Sequence, residues 1–176
     1  MSLIKQIYLL FDDFNDAQCY AHNGYDPEWR PTWNEDIEEQ LRQIQRGSPI
    51  SLPDDYCEVF RAFGGGCIED SRENRIMPAM TFWTWDDIME FDATVDFFKD
   101  CPNALPIGDD MGDVVYLLIN SSIESGLYMS GKSVVWDKNF RYKIANSFTE
   151  LFTSSEAQRI FRNYYNFGCD KGGDGR

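Results

Sequence analysis

The chain has 176 residues, of which 43% are hydrophobic and 15% aromatic, and this composition excludes a disordered protein. Its 30 acidic and 16 basic side chains give a net charge of -14, which argues against binding to nucleic acid or to anionic membranes. The length predicts one domain with short extensions, and no apolar run approaches the roughly 20 residues of a membrane span.

Cysteine usage indicates a reducing compartment. The five cysteines are widely spaced and form no C-x-x-C pair, so we predict neither a disulfide framework nor a zinc site. The apolar stretch from Leu3 to Phe11 is followed by acids and by no cleavage site, which predicts that it is not a signal peptide. These features together predict a cytoplasmic protein.

Negative charge is concentrated in the middle of the chain. From Asp86 to Asp113 there are nine acidic residues, whereas Lys99 is the only basic one. Such a stretch creates a local negative field that attracts a basic partner. The alternative is that these acids serve only to keep the protein soluble.

Helical patterns dominate the first part of the chain. Apolar residues at the spacing of one helical face predict an amphipathic helix from Leu3 to Phe14, with a strand over Ile7 to Phe11 as the alternative. Thr32 and Glu35 form a capping box, which predicts a second helix that ends at Gly47. Asn23 to Pro31, between these two helices, is predicted to be a linker.

The third predicted helix has the clearest signals. Pro53 suits its first position, the two acids that follow complement its positive end, and Gly64 ends it. Its buried face is predicted to consist of Tyr56, Val59, Phe60 and Phe63. Short strands are predicted beyond it, over Cys67 to Ile68 and Arg75 to Met77.

An acidic helix is predicted next. Thr84 can cap it, and its pattern continues from Trp85 to about Asp100. The acids Asp86, Asp87 and Glu90 are expected to face the solvent. The inward side chains are expected to be Trp85, Ile88, Met89, Val95 and Phe98.

Strand patterns follow. Ala104 to Ile107 and Val114 to Ile119 are predicted strands, and the second is apolar nearly throughout, which predicts a central position in a sheet. Leu127 to Met129 and Val134 to Trp136 flank Ser130 to Ser133, which predicts a hairpin. Helical spacing returns at Ile144, Phe148, Leu151 and Phe152.

The order of these elements predicts an α+β fold, as one domain with a mixed, mostly antiparallel sheet packed with helices. The predicted segments are an N-terminal helical extension and linker (1–31), the α+β domain (32–152), a C-terminal helix (153–167) and a flexible tail (168–176).

One pattern suggests nucleotide chemistry. Gly126 to Ser133 matches the phosphate loop G-x-x-x-x-G-K-[ST], with Lys132 as its lysine. Such a loop must open a helix, yet the Val134-Val135-Trp136 run that follows favours a strand. We therefore interpret Ser130-Gly131-Lys132 as a turn.

Other chemical patterns are equally weak. Asp109, Asp110 and Asp113 could hold a hard cation such as Mg or Ca, but an acidic turn between strands explains them as well. His22 is the single histidine, and together with Cys19 it gives no recognisable nucleophile and base. We predict no catalytic residue, no cofactor and no metal site.

Three motifs in the chain, taken in order, resemble those of one known family. Leu52-Pro53-Asp54-Asp55-Tyr56 with Gly64-Gly65-Gly66 resembles an L-P-x-x-Y helix that ends in a glycine pair. Leu105 to Asp113 is similar to a P-I-G-x-D-x-G-D strand, and Ile144 to Leu151 to a closing I-A-x-S-F helix. With these three motifs the chain resembles the SUKH superfamily, the Smi/Knr-type proteins, and the resemblance covers about residues 33–152.

This resemblance implies a noncatalytic binding module. Fungal members are regulators of cell-wall synthesis, and many bacterial members look like immunity proteins that neutralise polymorphic toxins, often nucleases or deaminases. The short, acidic chain favours the immunity role, with a basic toxin domain as partner. The alternatives are a regulatory scaffold in a larger assembly and, third, a nucleotide- or metal-dependent enzyme.

Charge density suggests where a partner would bind. The acidic helix and the adjoining turn would form the contact surface, and one tryptophan would be its apolar anchor. The residues predicted to bind the partner are Trp83, Trp85, Asp86, Asp87, Glu90, Asp109 and Asp110.

Overall fold

The computed structural model describes residues 2–12, 19–20, 36–68 and 80–170. The helices are α1 (Leu3–Asp12), α2 (Ile37–Gly47), α3 (Asp54–Phe63), α4 (Trp85–Val95), α5 (Phe97–Asp100), α6 (Phe148–Thr153) and α7 (Ser155–Asp170). The strands are β1 (Cys19–Tyr20), β2 (Cys67–Ile68), β3 (Met80–Thr81), β4 (Ala104–Asp109), β5 (Val114–Asn120), β6 (Ser125–Gly131) and β7 (Tyr142–Ala145). The predicted α+β class is confirmed.

Two antiparallel sheets organise the described strands. The small one has the order β1-β2-β3, and the larger one has the order β4-β5-β6-β7. Strand β5 lies inside the larger sheet, as its nearly continuous apolar run predicts, and its residues 115–119 are all buried. Its side chains alternate between two hydrophobic clusters, one on each face of the sheet.

The larger cluster joins the sheet to α1, α2, α3, α6 and α7. Tyr116 and Leu118 contribute to it from β5, and Leu3 and Ile7 contribute from α1. The predicted face of α3 is confirmed, since Tyr56, Val59, Phe60 and Phe63 are all buried.

The smaller cluster covers the opposite face of the sheet. Its buried members are Phe97, Cys101, Ala104, Val115, Leu117, Ile119, Tyr128 and Val135. Trp83, Phe91, Val95 and Phe98 are only partly buried against it. The smaller cluster therefore reaches the surface beside α4, which carries two of these four residues, Phe91 and Val95.

The acidic helix is shorter than predicted. It breaks at Asp96, which adopts a left-handed backbone conformation with φ of 52°. Asp92 stabilises the break, because its carboxylate accepts a hydrogen bond from the N–H of Phe98 at 2.7 Å. The prediction of one helix up to Asp100 was wrong, and so was the inward position of Met89, which is 39% exposed.

The predicted hairpin over 127–136 was also wrong. Ser130 and Gly131 do not turn but continue β6, paired with Val115 and Val114 of β5. Residues Lys132–Val134 then form a 3-10 turn, and Val135 is buried in the smaller cluster, so packing overrides the strand preference of this run. The return strand is β7, which places Ile144 in a strand and not in a helix.

Several predicted boundaries shift or fall outside the described part of the chain. The cap of α2 is Asp36, whose carboxylate accepts from the N–H of Glu39 at 2.8 Å, while Thr32 lies outside the described residues. Helix α7 continues to Asp170, three residues beyond its predicted end. The predicted strand over 75–77, His22 and the tail after residue 170 are outside the described residues.

The core contains one polar atom that the described contacts leave unsatisfied. Tyr56 is fully buried between Phe60 and Phe148, with ring centroids 5.8 Å from each, and its hydroxyl has no hydrogen-bond partner among the described residues. Burial raises the pKa of the Tyr56 hydroxyl above its ordinary value, with a smaller contribution from Cys57. The ring therefore contributes packing, while no described residue compensates the desolvation of the hydroxyl.

We expect Tyr56→Phe to leave the free energy of unfolding unchanged or to raise it by about 1 kcal/mol, because it removes only this uncompensated group. Urea denaturation checks this expectation. Tyr56→Ala, which deletes the ring as well, should lower the same free energy by about 3 kcal/mol or more. A Phe variant markedly less stable than wild type would show that the hydroxyl is bonded.

Candidate functional site

A groove beside α4 is the candidate functional site. Its volume is about 350 Å³, and its lining residues are Trp83, Asp87, Glu90, Phe91, Thr94, Val95 and Lys132. We refer to it as the α4 groove. It lies where the smaller hydrophobic cluster reaches the surface, so its apolar residues belong to that cluster.

The groove residues of α4 lie on one side of the helix because they are three or four positions apart. Asp87, Phe91 and Val95 follow one another at intervals of four, and Glu90 and Thr94 form a parallel row on the same side of α4. A capping box holds the first turn, in which Asp87 Oδ2 accepts from the N–H of Thr84 at 2.8 Å and from its hydroxyl at 2.7 Å. The Asp87 carboxylate is thereby fixed in place.

The floor of the groove is aromatic. The ring centroids of Trp83 and Phe91 are 5.1 Å apart, and that of Phe91 is 5.8 Å from Phe97 in the smaller cluster. The backbone before α4 is tied to β4, because the N–H of Trp83 donates to the carbonyl of Ile107 at 3.0 Å. The position of the indole is therefore set by both the sheet and the helix.

Another part of the groove wall is formed by Lys132, whose charge is compensated by an ion pair. Its Nζ lies 2.7 Å from Asp109 Oδ2, and Asp109 Oδ1 accepts from the Thr81 hydroxyl at 2.5 Å. Burial alone would raise the pKa of Asp109, but hydrogen bonds from Lys132, Thr81 and the N–H of Met111 outweigh it and hold the pKa below its usual value. Asp87 and Glu90 thus leave the groove negative.

The Lys132–Asp109 pair should contribute to stability in a pH-dependent way. Because the folded-state pKa of Asp109 is lowered, its contribution is present above the unfolded value of about 3.9 and is lost as the pH falls through the folded value. We expect Lys132→Met to lower the free energy of unfolding by about 1 kcal/mol at neutral pH and by less at about pH 3. Urea denaturation at both pH values measures the difference.

An exposed lysine provides the control for this prediction. Lys138 is exposed, and its side chain has no ion pair with a described residue, so Lys138→Met should change stability little at either pH. If the Lys132 variant matched the Lys138 variant, the ion pair would contribute nothing to folding.

The acidic turn between β4 and β5 is stabilised by hydrogen bonds from its own backbone to the Asp110 side chain. Asp110 Oδ1 accepts from the N–H groups of Gly112 and Val114 at 2.9 and 3.0 Å, which closes the turn between β4 and β5. Among the described residues, no group of three metal-ligating side chains comes together. The structure therefore shows Asp109 and Asp110 in structural contacts.

The phosphate-loop match has the wrong geometry in the structure. Most of its residues, Gly126 to Gly131, form β6, so their backbone groups face neighbouring strands and not a ligand. Lys132 is bound to Asp109, and the residues after it form a short 3-10 turn in place of a long helix. The interpretation of Ser130-Gly131-Lys132 as a turn was wrong too, because the first two residues are strand.

A second, smaller cavity of about 150 Å³ lies between Cys101 and Arg141. Arg141 Nη2 donates to the Cys101 sulfur at 2.8 Å. Burial nevertheless raises the pKa of the Cys101 thiol, and the opposing effect of Arg141 does not overcome it. A thiol held protonated in this way lacks the character of an activated nucleophile.

The structure brings together some of the residues predicted to bind a partner and separates others. Trp83, Asp87 and Glu90 line the α4 groove, and Asp109 lies behind its Lys132 wall. Trp85 packs instead toward α2, and its backbone N–H donates to Gln40 Oε1 at 3.0 Å. Asp86 is exposed on α4 outside the groove lining, and Asp110 lies in the turn.

Sequence reasoning missed Phe91, Thr94 and Lys132 as groove residues and placed Val95 only in the core. The spacing of four between Asp87, Phe91 and Val95 was the signal for the helix side of the groove. No comparable signal exists for Lys132, because its position depends on long-range pairing of the strands.

A protein-family model with the description SMI1 / KNR4 family (SUKH-1) matches residues 37–154. The chain belongs to the SMI1/KNR4 family. The matched region begins with α2, ends just after α6 and contains every residue of the α4 groove. No curated protein and no solved structure matches this SMI1/KNR4 chain. Its described helices include none that is long and apolar enough to cross a membrane.

Proposed function

We propose that this SMI1/KNR4 protein is a noncatalytic immunity protein of the cytoplasm. It would bind a basic toxin domain, such as a nuclease or a deaminase, and cover the surface that the toxin needs for its substrate. Family membership supports a role of this kind. The observation that carries the proposal is the pairing of an acidic helix with an aromatic groove on one surface.

Charge explains how such a protein would find its partner. Residues 85–100, which form α4 and α5, contain six acids and the single base Lys99. A toxin that acts on nucleic acid needs a basic cleft for phosphates, so the two surfaces attract each other over long range. Attraction of this type accelerates association and favours coverage of the basic cleft itself.

Coexpression tests the proposal. The probe is the C-terminal domain of a secreted toxin encoded beside the gene for this protein, produced in the same cells. Wild-type protein is expected to restore growth that the toxin domain alone abolishes. Unchanged killing in the presence of folded, abundant wild-type protein would contradict the proposed function.

A regulatory scaffold is the second candidate, and a separate surface favours it. Trp136 and Phe140 are 49% and 47% exposed, lie close in sequence to the basic residues Lys138 and Arg141, and are not part of the α4 groove lining. Large exposed aromatic side chains are enriched at protein interfaces. Copurification of a stable assembly that Trp136→Ala disrupts, without any toxin partner, would favour this role.

A further inference from the structure

We propose that the α4 groove binds an arginine side chain of the protein partner, with the guanidinium against Trp83 and between the carboxylates of Asp87 and Glu90. This inference rests on the proposed function, since it identifies the part of the toxin domain that the groove would recognise. The occupant follows from the shape and charge of the groove lining.

The carboxylates provide the charge complementarity. Asp87 and Glu90 are three residues apart on one side of α4, so they are neighbours across one helical turn. Asp87 holds the capping box through Oδ2, and the hydrogen bonds of that box do not use its Oδ1. The Glu90 carboxylate has no hydrogen bond or ion pair with any residue in the described part of the chain.

Lys132 does not reverse this charge. It is the single base in the groove lining, but its ammonium group is bonded to Asp109 at 2.7 Å outside that lining. The remaining charge of the lining is therefore negative. A cation is favoured in the groove, and a phosphate or carboxylate is not.

The aromatic floor distinguishes arginine from lysine. Trp83 and Phe91 lie 5.1 Å apart and are only partly buried, so an aromatic surface is accessible beside the carboxylates. A planar guanidinium stacks on such a surface and donates to carboxylates at its edge, whereas a lysine ammonium is compact and strongly hydrated. Val95 and the methyl group of Thr94 can contact the aliphatic part of the side chain.

A short peptide tests the groove without the toxin. The blocked tripeptide acetyl-Gly-Arg-Gly-amide is titrated into the full-length protein, and the indole N–H signal of Trp83 is followed by NMR after assignment with Trp83→Phe. Saturable shifts at Trp83 and at residues 90–95 are expected. The citrulline tripeptide, which has the same shape without the charge, should cause none, and the lysine tripeptide should bind more weakly.

Two matched variants locate the binding site on α4. Glu90→Gln should weaken binding of the arginine peptide by about fivefold, because it removes one charged partner. Asp86→Asn removes the same charge from the same helix outside the groove lining and should change binding by less than about twofold. Equal effects of both variants, or equal binding of the citrulline peptide, would overturn the assignment.

Failure of this inference is distinguishable from failure of the proposed function. One outcome would overturn the arginine groove alone. In it, wild-type protein, Trp83→Phe and Glu90→Gln all protect equally from the toxin domain, and the arginine peptide causes no shift at Trp83 of the wild-type protein. Peptide binding in the groove without protection from the toxin domain would support the groove and contradict the immunity role.

Discussion

Gly108→Ala is expected to lower the free energy of unfolding by about 3 kcal/mol or more. A Cβ at this position would overlap the carbonyl oxygen of Thr81 and lie 2.8 Å from its carbonyl carbon. Both atoms belong to the backbone of β3, which cannot move aside without losing its pairing with β2 and the Phe82 and Trp83 hydrogen bonds that follow. Urea denaturation measures the loss.

Gly131→Ala is the matched control. Gly131 also lies in the larger sheet, but among the described residues a Cβ there would meet only the Val134 side chain at 3.3 Å, and its φ of -68° suits any residue. We expect this variant to lose less than about 1 kcal/mol. If the two variants were equally stable, the close approach of β3 to β4 would not be what requires glycine at position 108.

Reversal of two charges on α4 is expected to slow association with the toxin domain by at least about tenfold at physiological salt. The variant is Asp86→Lys with Glu90→Lys, which leaves the Asp87 capping box intact. Two lysines would replace attraction by repulsion at the surface that is proposed to face the basic cleft. Stopped-flow measurement of the association rate at several salt concentrations tests this, and the rate difference should shrink as salt rises.

The control changes the net charge by the same amount elsewhere. Asp54 and Glu124 are exposed, the first on α3 and the second in the turn between β5 and β6. Asp54→Lys with Glu124→Lys should slow association far less, because these positions lie outside α4. If both double variants slowed association equally, net charge and not the α4 surface would govern the encounter.

Local signals predicted much of the fold. Pro53, the acids after it and the stripe from Tyr56 to Phe63 placed α3 correctly, and the continuous apolar run of β5 placed it inside the sheet. The residues that indicate each of these elements lie within the element or directly beside it. Residues typical of helix ends and the period of apolar residues can both be recognised in a short stretch of sequence.

Long-range contacts explain the predictions that were wrong. The run Val134-Val135-Trp136 favours a strand, but Val135 is buried in the smaller cluster, and none of the described strands pairs with this run. The break at Asp96 is a local exception, in which the N–H of Phe98 donates to the Asp92 carboxylate and the N–H of Asp96 donates to the Asp92 carbonyl. A prediction from propensity alone cannot include such contacts.

The candidate site was predictable in part. Charge and aromatic content indicated Trp83, Asp87 and Glu90, which the structure brings together in the α4 groove. The bond between Lys132 and Asp109 joins residues 23 positions apart, and it exists because β4, β5 and β6 pair in register. Sequence alone therefore could not show that the carboxylate of Asp109 is paired with Lys132, whereas the carboxylate of Glu90 has no partner among the described residues.

Titration of the purified toxin domain with this protein tests directly whether it neutralises by binding alone. Residual toxin activity is expected to fall in proportion to added protein and to reach zero at one equivalent, with all of the protein recovered in the complex. Complete inactivation by a small fraction of an equivalent would reveal turnover, and full activity at an excess would reveal no neutralisation. Either result would contradict a noncatalytic immunity role.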